Sequence, residues 1–243
     1  MRPDFSIIMP AYNAAKFIGQ SIQAVINQDH ASWELLIVND GSEDVTEEVI
    51  QAFSKHDNRI RYFKQKNGGV ANARNRGLRC ATGRYITFLD ADDIWDVDFL
   101  RFNAAHLQTH ALVFSGYRIL GQNRSKRPRF YKKARYINRN DIIRNNPIGT
   151  LTVAIRSELL AEYYFDESFH GTEDWDLWIE LSLRNNWYYT DICKASYRMH
   201  EGGISRNASR MYLQELAVLR KHSVTSYIPM LYLVLRFMKR KLN

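Results

Sequence analysis

The sequence predicts an α/β domain: a mainly parallel sheet with helices on both faces. Three observations predict it. Short apolar runs alternate with segments of helical spacing through the first half of the chain. The 243 residues are 45% hydrophobic and 25% charged, an ordinary globular balance with ample material for a core. Three of the apolar runs end in polar clusters: Pro10-Ala11-Tyr12-Asn13, Asn39-Asp40-Gly41-Ser42 and Asp90-Ala91-Asp92-Asp93. On a parallel sheet these ends share one edge, where ligands bind, so they are expected to converge on one crevice.

The elements follow in order. Phe5-Ser6-Ile7-Ile8-Met9 reads as a strand stopped by Pro10. Phe17, Ile18, Ser21, Ile22, Val25 and Ile26 fall at helical spacing. Trp33 to Val38 is the second strand, and Asp44 with Glu47 gives a capping-box-like start to the second helix. Ile60 to Phe63 is a third strand. Asn67-Gly68-Gly69 opens a helix rich in Ala and Arg, which Gly83 is expected to terminate in the left-handed conformation. Tyr85 to Leu89 is the fourth strand.

The second half is less regular. A helix is expected over Val97 to Thr109, an apolar run over Ala111 to Phe114, and a strand over Thr150 to Ile155. Glu173-Asp174-Trp175-Asp176-Leu177-Trp178-Ile179 begins a helix of roughly a dozen residues. Between these lies a basic stretch: Arg124, Lys126, Arg127, Arg129, Lys132, Lys133 and Arg135. It reads as a solvated connection or as a contact for an anionic acceptor or lipid. No internal repeat or low-complexity tract is present.

The net charge of +8 favours anionic partners. Cys80 and Cys193 imply no disulfide framework and suit a reducing compartment. Met1-Arg2-Pro3-Asp4 runs straight into a strand without the basic and apolar regions of a signal peptide. No apolar stretch reaches the ~18 residues of a spanning helix. There is no G-x-x-x-x-G-K-[ST], and no G-x-G-x-x-G after the first strand, which disfavours P-loop hydrolysis and hydride transfer.

Five constellations carry chemistry. A strand ending in Asp90-Ala91-Asp92-Asp93 brings carboxylates to the edge of a core, a costly arrangement that a hard divalent cation relieves. A helix-capping turn is the plainer reading. Asp40 is either a turn residue or an acceptor for a base N–H such as N3 of uracil. Arg74 and Arg76 follow Gly68-Gly69, where close backbone approach and a helix start favour phosphate; an ordinary solvated face is the alternative. Glu173-Asp174 at a helix start is explained by the macrodipole alone, or as a general base. His200, beside Glu201-Gly202-Gly203, is structural or a further ligand to metal or phosphate.

In this order the motifs resemble those of family 2 glycosyltransferases with the GT-A fold. The matching stretches are Ser6 to Asn13, Val38 to Ser42, Asn67 to Asn75, Gly83 to Asp93 and Glu173-Asp174-Trp175. The resemblance runs from about Phe5 to Ser205. It implies a single Rossmann-like nucleotide-binding domain with a mixed central sheet over residues 1–205, followed by a helical, basic tail over 206–243. Residues 1–95 would form the nucleotide-binding half and 96–205 the acceptor half.

By the same resemblance Asp40 reads the base, Arg74 contacts the diphosphate, and Asp90 and Asp92 form the D-x-D pair. The implied nucleotide-binding set is Pro10, Ala11, Tyr12, Asn13, Asp40, Gly69, Arg74, Asp90 and Ala91. Asp92 and His200 are the implied ligands of Mn²⁺ or Mg²⁺, and Asp174 is the implied catalytic base. The implied reaction is inverting transfer of a sugar from a nucleotide-sugar donor, with UDP preferred, to a hydroxyl of a saccharide or lipid-linked saccharide, in cell-surface polysaccharide or glycolipid synthesis. Two departures matter. No Q-x-x-R-W follows Asp174, which favours single addition over processive synthesis. Glu180 stands where many relatives carry a basic residue.

Two other readings compete. A nucleotidyltransferase making nucleotide sugars is expected to carry a Gly-rich basic loop after the first strand, where this chain has Pro10-Ala11-Tyr12-Asn13. A nucleic-acid-binding protein is expected to show a reading element, and none is found; no nucleic-acid partner is expected. Tyr227 to Lys241 is apolar, then basic, and too short to span a bilayer. It either packs on the domain or lies on an anionic membrane. The expected location is the cytoplasm, with the tail offering a hold on the inner face of the cell membrane.

Overall fold

The computed structural model describes residues 2–120, 125–126, 135–199, 208–224, 229, 233–235 and 237–238. Strands β1 (Phe5–Ala11), β2 (Trp33–Asn39), β3 (Ile60–Lys64) and β4 (Tyr85–Phe88) are parallel and lie in the order β3-β2-β1-β4. Helices α1 (Ile18–Ile26), α2 (Thr46–Ser54) and α3 (Val70–Cys80) connect them.

The chain continues through β5 (Ile94–Trp95), α4 (Phe99–Leu107), β6 (Leu112–Ser115), β7 (Tyr117–Ile119), β8 (Ser125–Lys126) and β9 (Arg135–Ile137). Then come α5 (Arg139–Asn145), β10 (Ala154–Arg156), α6 (Glu173–Leu181), β11 (Trp187–Thr190), β12 (Ala195–Tyr197) and α7 (Ala208–Lys221). Strand β10 enters antiparallel between β4 and β6, β11 runs parallel to β6, and β9 closes the edge antiparallel to β11. The central sheet is therefore mixed. A second sheet has the order β5-β12-β7-β8.

Strand alternation divides the core into two layers. Phe5, Ile7, Met9, Leu35 and Ile37 pack with Ile18, Ile22 and Val25 of α1 and Phe99 of α4. Ile8, Leu36, Ile86 and Phe88 face Ala71 of α3 and the indoles Trp175 and Trp178 of α6. All seven residues of β1 and of β2 are buried, as expected of strands covered on both faces.

Several expectations are corrected. Pro10 does not stop β1; it pairs in register with Val38. Ile8 offers its carbonyl to Leu89 on the β4 side, and Pro10 shares that parity. Its missing N–H thus points where β4 has already ended, so no ladder bond is lost. Gly83 is not left-handed. Helix α3 ends at Cys80 with Ala81 extended, and Gly83 is small for another reason: a Cβ there would lie 2.5 Å from Ser6 N. Asp44 and Glu47 form no capping box. Asp44 accepts from Thr46 and Ala15, while Glu47 binds Lys64.

Helix α4 is shorter than Val97 to Thr109, and α6 has nine residues. Thr150 to Ile155 is not one strand: Thr150–Thr152 is a 3-10 turn and only Ala154–Arg156 pairs. The turn is fixed by Trp95 Nε1, which donates to Leu151 O at 2.8 Å.

Most of the basic stretch and much of the tail lie outside the described residues. In the tail, Leu233 is fully buried in the same cluster as Val218 and Leu219 of α7, and the Phe237 ring is 5.0 Å from that of Tyr212. Val234, Leu235 and Met238 are exposed.

Candidate active site

The carboxyl ends of β1 and β2 are stitched together by backbone and short polar side chains. Asp40 N donates to Ala11 O at 2.8 Å, Asn13 N donates to Ser42 Oγ at 3.0 Å, and Glu43 N donates to Asn13 Oδ1 at 2.9 Å. Asn13 adopts φ +47°, which Asn tolerates better than most residues. Pro10 and Ala11 are buried in the strand, while Tyr12 is 51% exposed on the rim.

Asp40 is 3% exposed. Its Oδ1 accepts from Gln65 Nε2 at 2.8 Å and Gly68 N at 2.9 Å, and its Oδ2 accepts from Gly69 N at 2.8 Å. The backbone donors ahead of α3, open to phosphate on sequence grounds, are thus held by the protein's own carboxylate. One lone pair of Oδ2 remains for a further donor. Gly69 sits at φ +88°, with nothing within 4 Å of where a Cβ would be. The left-handed backbone favours glycine, and the space beside it is open to a ligand.

Arg74 is on the inner face of α3, with its side chain 5% exposed. This corrects the solvated-face alternative. Nη2 donates to Asp90 Oδ1 at 2.9 Å and Nη1 to Glu173 Oε1 at 2.8 Å. Burial works against its charge, but Asp90, Glu173 and Asp174 outweigh burial and hold its pKa above the ordinary arginine range. The guanidinium therefore ties the end of β4 to the start of α6.

Asp93 N donates to Asp90 O at 3.1 Å, closing the acidic turn, and Ser21 Oγ of α1 donates to Ala91 O at 2.9 Å. The pairing of β12 with β5 brings Arg198 to this turn. Arg198 Nε donates to Asp92 O at 2.8 Å and Arg198 N to Asp93 Oδ1 at 2.9 Å. Asp93 is fully buried, and its Oδ2 has no hydrogen-bond partner among the described residues. Burial, then the charges of Asp90 and Asp92, push its pKa well above the usual carboxylate range.

At the start of α6, Gly171 N donates to Glu173 Oε2 at 2.6 Å. Asp174 accepts from Thr150 Oγ1 at 2.7 Å and from Trp175 N at 2.6 Å. Burial and the neighbouring Glu173 charge raise its pKa; Thr150, Arg74 and Trp175 N pull it back, and it settles at about 6. A carboxyl poised there can take a proton near neutral pH. Trp175 and Trp178 are core residues that anchor α6, with Trp175 Nε1 donating to Ile142 O at 2.9 Å.

Hydrogen bonds thus join Asp40 to Gly69 at the start of α3, and Arg74 on the same helix to Asp90 and to Glu173, the residue before Asp174, with Pro10 to Asn13 beside Asp40 and Ala91 and Asp92 beside Asp90. His200 lies outside the described residues. Sequence reasoning missed Thr150, Arg198 and the ionic role of Glu173. Thr150 carries no sequence signal, because its role depends on a turn docked by Trp95. Arg198 stands two positions before His200 and was legible only as a neighbour.

The acidic turn fits a divalent cation by its chemistry: hard oxygens, three carboxylates in one turn, and a buried Asp93 oxygen without a partner among the described residues. Among the described residues, the acidic and imidazole atoms that cluster within 4.8 Å are instead those of Asp176, Glu180 and His222. Asp176 there already binds Lys221 Nζ at 2.8 Å and His222 Nε2 at 2.9 Å, so that group is an ion-pair network joining α6 to α7. A cation bound with phosphates needs only one or two carboxylates, so a looser set at Asp90 and Asp92 suffices.

Residues 6–164 match the family model described as Glycosyl transferase family 2. The chain is 33% identical over 210 residues to a putative teichuronic acid biosynthesis glycosyltransferase, TuaG, of Bacillus subtilis (strain 168), covering 85% of this chain and 83% of that protein. It is 35% identical over 220 residues to the Escherichia coli UDP-Glc:alpha-D-GlcNAc-diphosphoundecaprenol beta-1,3-glucosyltransferase WfgD, covering 88% and 84%. An uncharacterized glycosyltransferase of Rickettsia bellii (strain RML369-C) is 34% identical over 191 residues, and there this chain spans only 26% of the relative.

Among solved structures, S. aureus TarS 1-349 in complex with UDP-GlcNAc superposes with a TM-score of 0.72 at 23% identity, over 89% of this chain and 66% of that one. A mannosyltransferase from Pyrobaculum calidifontis in complex with GDP-Man and Mn²⁺ gives 0.71 at 19% identity, over 98% and 70%.

Proposed function

The chain belongs to glycosyl transferase family 2, and from that premise we propose that it moves one sugar at a time, with inversion, from a UDP-sugar to a hydroxyl of a lipid-linked saccharide. The observation that carries this reading is the contrast between neighbouring carboxylates. Glu173 is consumed by Arg74 and Gly171, whereas Asp174 is held by a neutral hydroxyl and a backbone N–H with a pKa of about 6.

Asp174 takes the proton of the acceptor hydroxyl as its oxygen attacks the anomeric carbon. One base suffices for a single displacement. Arg74 would face the departing diphosphate and favour the charge that builds on it, while Gly69 leaves open space for the nucleotide beside Asp40. Asp92, with Asp90 at its side, would hold Mn²⁺ or Mg²⁺, and His200 would add a ligand. When bound, the cation supplies charge neutralisation at the diphosphate. Asp40 reads the uracil N–H through the lone pair left on Oδ2, and Tyr12 and Asn13 line the same end.

The donor preference draws support from relatives: WfgD is named for UDP-Glc and a diphosphoundecaprenol acceptor, and TarS binds UDP-GlcNAc. A thermal-shift panel of UDP-, GDP- and dTDP-sugars, with and without Mn²⁺, tests it. Metal-dependent stabilisation by a UDP-sugar alone is expected; equal response to all three sinks the base assignment.

We further propose that the tail rests on the inner face of the cell membrane. Its apolar Val234, Leu235 and Met238 are exposed while Leu233 packs inward, and Lys239-Arg240-Lys241 follow in sequence. Among the described residues no helix is long and apolar enough to cross a membrane. Flotation with anionic liposomes should be lost on truncation after His222; unchanged flotation removes the tail from the reading.

A further inference from the structure

Arg74 stands between two acidic residues remote from it in sequence: Asp90 is 16 positions away and Glu173 is 99. The Arg74 and Glu173 side chains are each 5% exposed. Such a buried charge pair is a poor way to gain stability, because desolvation cancels most of its attraction. What it does supply is a fixed geometry. Glu173 itself is pinned at both oxygens, Oε1 by Arg74 Nη1 at 2.8 Å and Oε2 by Gly171 N at 2.6 Å. Gly171 makes this contact from φ +89°, a backbone state that favours glycine. Glu173 and Asp174 both accept at both oxygens, but Glu173 is paired with a buried guanidinium, which disfavours taking up a substrate proton, whereas Asp174 is held only by a neutral hydroxyl and a backbone N–H.

We propose that Glu173 is a positioning residue: it locks Arg74 between the helix that carries Asp174 and the turn that carries Asp90, holding the acceptor and donor sides of the reaction centre in one register. This rests on Asp174 being the base. Glu173 also acts electrostatically. Among the described residues, the charged and titratable groups that act on Asp174 include Glu173 from its own helix, Arg74 from α3 and Tyr117 from β7. Glu173 opposes ionisation of Asp174 and Arg74 favours it, so the pair balances the base near neutrality.

The test compares E173Q and E173D with wild type in kcat, donor KM and the pH profile of kcat. E173Q keeps the shape but removes the charge. Asp174 should then ionise more readily, and the acid limb should move down by about half to one pH unit. We expect kcat to fall by about tenfold or more, with donor KM changing less than about threefold. E173D keeps the charge but withdraws it by one methylene, so kcat should fall while the acid limb stays in place.

A merely structural Glu173 predicts loss of thermal stability and of kcat in E173Q with an unmoved limb, and that overturns the proposal. So does wild-type kcat in E173D, which decides the matter even if E173Q fails to fold. A ¹³C titration of the Asp174 carboxyl, assigned by its absence in D174N, reads the same coupling without turnover: its midpoint should drop in E173Q. Transfer that survives in D174N instead refutes the assignment of the base and leaves that titration standing as a separate result.

Discussion

Thr150 Oγ1 donates a 2.7 Å hydrogen bond to Asp174 Oδ2. The two residues come from a 3-10 turn and from the first turn of α6, and they meet because Trp95 docks the turn against the second sheet. A hydroxyl so placed favours the ionised carboxylate. With a pKa of about 6, Asp174 should give kcat an acid limb near that pH. T150V removes the bond, so the pKa should rise and the limb should move up by about one unit. A pH–rate profile of the variant checks this; an unmoved limb means the hydroxyl does not tune the base.

D174N keeps the volume and loses the base. Turnover should fall by about a hundredfold or more, while UDP binding by calorimetry stays close to wild type. Equal loss of binding and turnover would mark Asp174 as structural.

The cation assignment separates in a different variant. D92N should abolish the Mn²⁺-dependent part of the UDP thermal shift, and EDTA should do the same to wild type. D176N alters the network with Lys221 and His222; it should leave the Mn²⁺ response intact even though it lowers the melting temperature.

Gly83 tests the close approach of the β4 entry to β1. A Cβ there would lie 2.5 Å from Ser6 N and 2.7 Å from Phe5 C, both backbone atoms that cannot swing aside. G83A should destabilise the fold by about 1–3 kcal/mol or more, read as a lower denaturant midpoint. An unchanged midpoint would show that β1 and the β4 entry can separate.

Lys221 holds Asp176, whose side chain is 2% exposed, and also Asp166. K221M should cost about 1.5–3 kcal/mol, because the buried carboxylate keeps only His222. Asp166 is pushed down to about 2, first by Ser168 and against burial, then by Lys221. A depressed carboxylate adds stability that is lost as pH falls from its unfolded pKa toward about 2. Asp166 is about a third exposed, so this part is small. The acid-unfolding midpoint of K221M should still rise slightly; a lower one would contradict the ion pair.

Much of the fold was legible in the chain because parallel strands buried on both faces write themselves as continuous apolar runs. The four strands from Phe5 to Phe88 and the helices between them fall where periodicity puts them. The misses have physical causes. Pro10 looks like a stop in the sequence because its effect depends on which neighbour its absent N–H would face. Gly83 looks like a helix cap because sequence does not distinguish a glycine needed for backbone freedom from one needed for space.

The order of motifs by itself carried the resemblance to the family, and the sequence alone determined the parallel strands and the edge they share, since local periodicity and turn chemistry are written in consecutive residues. Only the tertiary structure decided that Arg74 is buried between Asp90 and Glu173, that Asp40 holds Gly68 and Gly69, and that Thr150 reaches Asp174. Those contacts join residues far apart along the chain, and their strength depends on desolvation and exact separation, which no local pattern encodes.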